Sequence, residues 1–156
     1  MAEYTSIKEA LDESGTYTGL TRGNSMQPLL YQGRDNIIVV KNKGRLKKYD
    51  IPVYLMPSGK YIMHRIIEVK DDHYVIMGDN RLEKEYVTDD MIVGVLVGFY
   101  RRGKKYIDLK TNKAYKLYSR IWVALVPVKP VLVFANRCID YLRRHIFERK
   151  DNNIAE

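Results

Sequence analysis

Over residues 16–109 the chain runs in short β-type segments, each closed by turn residues, and nothing in that span sustains helical spacing. Ile37-Ile38-Val39-Val40 sits in a run over 36–41, and the apolar run 51–56 ends at Pro57-Ser58-Gly59. A run over 61–69 precedes the Asp71-Asp72 turn, and 74–77 follows it. A further run, 91–100, turns at Arg102-Gly103 into 106–109. Strands this close along a chain, with no crossover helices between them, predict a mainly β domain of compact, coiled, barrel-like form. A β-sandwich is the competing architecture. Thirteen tyrosines against three phenylalanines fit many half-buried strand positions.

The two ends read differently. Ser6-Ile7-Lys8-Glu9 has the form of a capping box and opens a short helix over 6–14, with Ile7, Ala10 and Leu11 on one face and Gly15 as its stop. After Thr111 the period changes. Tyr115, Tyr118, Ile121, Trp122, Leu125 and Val126 recur at helical spacing behind an N-cap at Thr111 or Asn112. Pro127 stops or kinks that helix, and Pro130 can open another carrying Leu132, Ala135, Ile139, Leu142 and Ile146. The expected organisation is therefore a β domain over 1–110 and a basic helical segment over 111–156.

Charge is unevenly placed. Residues 111–150 hold nine Lys or Arg against Asp140 and Glu148, so they carry +7 of the net +8. One reading packs the apolar face of these helices on the barrel and leaves a solvated basic face. The other lays them on an anionic membrane surface, with Trp122, Phe134 and Tyr141 at the interface. Nucleic acid is not an expected partner, because no recognition helix or stacking motif can be named. The apolar stretch 121–135 contains two prolines and Lys129, and a spanning helix needs roughly 18–20 uninterrupted apolar residues, so no transmembrane span is expected. No basic-then-apolar leader opens the sequence, which points to a cytoplasmic or peripherally membrane-associated protein. A single cysteine, Cys138, excludes an intramolecular disulfide and a Cys-based zinc site.

The chemistry begins at Gly23-Asn24-Ser25-Met26-Gln27-Pro28-Leu29, where a serine stands among turn formers after the first strand. A serine hydroxyl needs a base to act as a nucleophile at neutral pH. Of the three histidines, His145 lies among arginines and His73 in an acidic turn, whereas His64 lies within the apolar run Tyr61-Ile62-Met63-His64-Arg65-Ile66-Ile67. A carboxylate follows in Gly78-Asp79-Asn80.

Taken in order, Ser25-Met26-x-Pro28, Gly33-Arg34-Asp35, Tyr61-x-x-His64-Arg65-Ile66 and Gly78-Asp79-Asn80 form a series that resembles the signal peptidase I and LexA-like serine peptidases. The likeness spans about residues 16–98. Histidine at the base position makes it similar to the endoplasmic-reticulum and archaeal-type branch. The resemblance implies Ser25 as nucleophile, His64 as general base and Asp79 as the carboxylate that orients the imidazole. With an ordinary pKa of about 6.5, histidine can accept the serine proton near neutral pH. That branch also has paired aspartates after the Gly-Asp-Asn box, where this chain has Glu83 and Glu85, with Asp89-Asp90 further on. Gly23 stands where the family often has a serine that aids the oxyanion hole, leaving that task to the Ser25 N–H. The N-terminal membrane anchor common in signal peptidases is not seen. The implied activity is limited proteolysis of an extended peptide or precursor, with no metal or cofactor. A self-cleaving LexA-like regulator and a non-catalytic peptide-binding relative are the alternatives.

Overall fold

The computed structural model describes residues 6–131. The protein is mainly β, with a curled half-barrel sheet, as the strand pattern predicts. Helix α1 (Ile7–Ser14) is capped by the Ser6 hydroxyl, which accepts from the Glu9 N–H at 3.1 Å. It ends on Gly15 at φ +72, a left-handed conformation that glycine adopts without a Cβ clash. Ala10 and Leu11 are its buried face.

The strands are β1 (Thr16–Leu20), β2 (Asn36–Lys41), β3 (Pro52–Leu55), β4 (Tyr61–Met63), β5 (Arg65–Val69), β6 (Tyr74–Met77), β7 (Glu85–Val87), β8 (Ile92–Arg101) and β9 (Lys105–Asp108). One antiparallel sheet runs β1-β2-β8-β3-β4, with β9 also on β8; β3 and β9 share one edge of that long strand, near its beginning and its end. A second sheet is β5-β6-β7. Register shifts at Ile38/Val39 and Val53/Tyr54 locally increase twist, which curls the first sheet. Its concave side holds one core, including Leu11, Met26, Leu30, Val39, Ile51 and Phe99. A second core joins Leu46, Tyr54, Ile66, Tyr74, Ile76 and Val87.

Two expectations change here. The run 61–69 is two strands: β4 pairs with β3, β5 pairs with β6, and the chain crosses from one sheet to the other at His64. The boundary expected at 110/111 also moves. The compact unit runs to Val123, because α2 (Lys113–Ala124), capped by the Asn112 side chain, packs Tyr115 into the first core. Trp122 takes part in that packing. Its ring stacks on Tyr118 at 5.5 Å, and its N–H donates to the Asp79 carbonyl at 3.0 Å. Residues from Ala124 form a second compact unit, whose described part contains a 3-10 turn at Val126–Val128. The helix expected after Pro130, with Phe134 and Tyr141, lies outside the described residues. Among the described residues no helix is long and apolar enough to cross a membrane.

Candidate active site

Ser25 sits on the loop that joins β1 to β2. The loop is closed at its base, where the Thr21 N–H and hydroxyl both donate to the Asp35 carbonyl at 2.9 and 2.8 Å, and Gly33 N–H donates to the Thr21 carbonyl. The Asp35 side chain is fully buried. Burial opposes its charge, but the Arg34 guanidinium and the N–H groups of Tyr31 and Arg102 outweigh that and hold its carboxyl below the ordinary range. Inside the loop Met26, Leu29 and Leu30 are buried in the first core. Anchoring Met26 inward turns the neighbouring Ser25 to the wall of a cleft. Gly23 has φ +78, so a serine at that position would be strained. Among the described residues no hydrogen bond from the Ser25 N–H is present.

His64 is 7% exposed and sits where the chain changes sheets. Its Nδ1 lies 2.7 Å from Glu85 Oε2, at the start of β7, and 3.2 Å from the Tyr54 hydroxyl on β3. Tyr54 in turn donates to the same Glu85 oxygen. Burial, and then the hydrogen bond and charge of Glu85, raise the Tyr54 phenol far above its ordinary pKa, so it stays protonated. In the tautomer that directs its Nδ1 proton to Glu85, the ring keeps Nε2 as its acceptor.

Nε2 faces the turn after β6. A Cβ added to Gly78 would stand 3.1 Å from it and 2.9 Å from the Ser25 carbonyl oxygen. That turn is fastened to the serine loop: Asn80 N–H donates to the Ser25 carbonyl at 2.7 Å, and Arg81 reaches the Asn24 side chain at 3.3 Å. Ser25, His64 and Glu85 all line one cleft of about 940 Å³, together with Tyr17 and Leu20 of β1 and all three residues of β4. Among the described residues no hydrogen bond joins the Ser25 hydroxyl to His64. Such bonds are often long before substrate binds and tighten in the complex. Gly78→Ala tests how closely this cradle is fitted. The added methyl meets backbone, so the variant is expected to lose about 1–3 kcal/mol of stability by thermal melting. It is also expected to lose about 10²-fold in Ser25 reactivity toward a fluorophosphonate.

The structure places the Asp79 carboxylate against Arg65 and Tyr118, not in the position beside His64 Nδ1 that the resemblance implied. Both of its carboxylate oxygens are taken by the guanidinium of Arg65, at 2.8 Å each, and Oδ2 also accepts from the Tyr118 hydroxyl at 2.9 Å. Arg65 is itself fully buried and donates to Tyr115 and Ser119 of α2 at 3.0 and 2.8 Å. Burial works against its charge, and the hydrogen bonds and attraction from Asp79 more than restore it. The physical reason is direction: His64 and Arg65 are consecutive, so their side chains leave on opposite faces, one to the cleft and one to α2. The Asp79 turn therefore supports the site from behind. Glu83 lines the cleft but, among the described residues, makes no hydrogen bond to His64, and Asp89 pairs with Arg45 and with Tyr74 of the second sheet.

Among known proteins, no family model matches this chain, and no curated protein matches its sequence. Sequence reasoning brought Ser25 and His64 to one cleft but left Glu85 among several acids, and missed Tyr54 and Arg65. The one signal for Glu85 was its place at the head of the short alternating run Glu85-Tyr86-Val87, which is β7. Among the described residues no cluster of metal-ligating side chains is present.

Proposed function

We propose that this chain is a serine endopeptidase of the signal-peptidase and LexA-like kind, making limited cuts in an extended peptide or precursor. Ser25 is the nucleophile, His64 the general base and Glu85 the orienting carboxylate. The observation that carries this reading is the His64 ring, held by Glu85 through Nδ1 while Nε2 faces the Gly78 turn, which is hydrogen-bonded to the Ser25 loop.

In the reaction, Ser25 Oγ bonds to the scissile carbonyl carbon as its proton passes to His64 Nε2, and the Ser25 N–H receives the developing oxyanion. The carbon–nitrogen bond then breaks, with the imidazolium proton leaving on the amine. Water attacks the acyl-serine as His64 takes its proton, the ester bond breaks, and Ser25 regains its hydrogen. Glu85 holds the imidazole in the required tautomer and balances its transient charge.

An extended substrate suits the cleft. Strands β1 and β4 are the two ends of the first sheet's path, and both line it. Their unpaired edges can take up the main chain of a peptide by strand addition, while Leu20, Tyr61 and Met63 meet its side chains.

The test is a peptide library digested by the purified protein, with new termini read by mass spectrometry. The wild type is expected to yield a narrow set of termini, absent with Ser25→Ala and with His64→Ala. The same termini from Ser25→Ala would overturn the proposal.

A further inference from the structure

Tyr54 lies outside the three residues that perform the proposed reaction, yet it is fully buried and its hydroxyl touches two of them. It belongs to β3, at the Val53/Tyr54 register shift against β8. A shift of this kind re-aims a side chain, and such bulges are frequent beside active sites. The Tyr54 ring meets the imidazole edge-on, at 6.3 Å between centroids and 67° between planes. The three polar atoms form a triangle of the phenol oxygen, His64 Nδ1 and Glu85 Oε2. The phenol has one proton to give. The carboxylate is the strongest acceptor in the triangle, so that proton goes to Glu85, and the phenol oxygen can share the Nδ1–H.

We propose that Tyr54 is a positioning residue of this site, acting through Glu85: its phenol donates to the carboxylate that holds His64 and draws off part of that carboxylate's negative charge. The inference deepens the peptidase reading, because it assigns a residue that sets the pH range over which His64 is a free base. The sign follows from the hydrogen bond. Removing the phenol leaves the carboxylate its full charge, so Tyr54→Phe is expected to hold the imidazolium more strongly than the wild type does. The other charged groups at the cleft are Arg22, Lys60, Arg81 and Glu83, and Arg65 next to His64 is turned away to Asp79. None of these changes when the phenol is removed, so Tyr54→Phe isolates its effect.

The experiment follows the imidazole nitrogens of the full chain by NMR as pH is varied, with His73→Gln and His145→Gln used to assign the three histidines. In Tyr54→Phe the His64 transition is expected to move up by about half to one pH unit. In Glu85→Gln the same Tyr54→Phe change is expected to give a much smaller shift, since most of the coupling runs through the carboxylate. The Cζ resonance of Tyr54 in the unmodified protein gives a second measurement that needs no Tyr54 variant. It is expected to follow the His64 transition and to lose that step in Glu85→Gln. An unchanged or lowered His64 transition in Tyr54→Phe, or a Tyr54 signal blind to it, overturns the proposal. Fluorophosphonate labelling of Ser25 is run alongside, and its acid limb should move up with the NMR transition. Absent labelling of the wild type with an intact His64 shift would defeat the peptidase reading alone. Full labelling with no shift would defeat the role of Tyr54 alone.

Discussion

Glu85→Gln is expected to lower turnover of a cleaved peptide by about 10⁴-fold at neutral pH while the protein stays folded. Glutamine keeps the length and shape of the side chain but offers Nδ1 of His64 either an amide donor or a neutral oxygen. The ring is then free to take the tautomer with its proton on Nε2, which cannot accept from Ser25. The imidazolium formed in the transition state also loses its counter-charge. Stability should change by no more than about 1–1.5 kcal/mol, the worth of one hydrogen bond at a partly exposed site. Glu83→Gln, on the same cleft wall but with no bond to His64, is the control and should leave turnover within a few fold. Near-normal turnover in Glu85→Gln would remove Glu85 from the mechanism, whatever the distance between the groups.

That assignment marks the limit of what the sequence made legible. Strand β2 matched its expected bounds because Ile37 to Val40 is flanked by Asn36 and Lys41, and an apolar run with polar ends is a local property. The run 61–69 read as one strand because apolar continuity carries no record of which partner each half pairs with. Only the tertiary pairing of β4 with β3 and of β5 with β6 places the break at His64. The same break decides the acids. Asp79 is closer in sequence to the motif, but Arg65 captures it from the face opposite His64, and the arginine's other partners, Tyr115 and Ser119, are 50 and 54 residues away. Glu85 comes within reach because the short strand β7 pairs with β6, a pairing of three residues that period alone could not have forecast.

Asp79→Asn is expected to fail in the other way, by losing the fold before the chemistry. The Arg65 and Asp79 side chains are 0% and 1% exposed, so removing the aspartate charge leaves a guanidinium buried without its counter-ion. Breaking such a pair from one side costs about 3–5 kcal/mol. For a unit of this size that is a fall in Tm of about 10–20 °C. Arg65→Met should cost a similar amount, since it leaves the buried Asp79 carboxylate without its guanidinium counter-ion. The double variant Arg65→Met/Asp79→Leu leaves neither charge uncompensated, and it is expected to be more stable than the sum of the single losses predicts. Turnover per folded molecule sorts the two roles. Asp79→Asn loosens the Asn80 clamp on the Ser25 carbonyl and should lower activity far less than Glu85→Gln does, once compared at a temperature where both are folded. A stable Asp79→Asn protein with a 10⁴-fold loss of turnover would instead return the orienting role to Asp79, and would mean that the turn rearranges toward His64 when substrate binds.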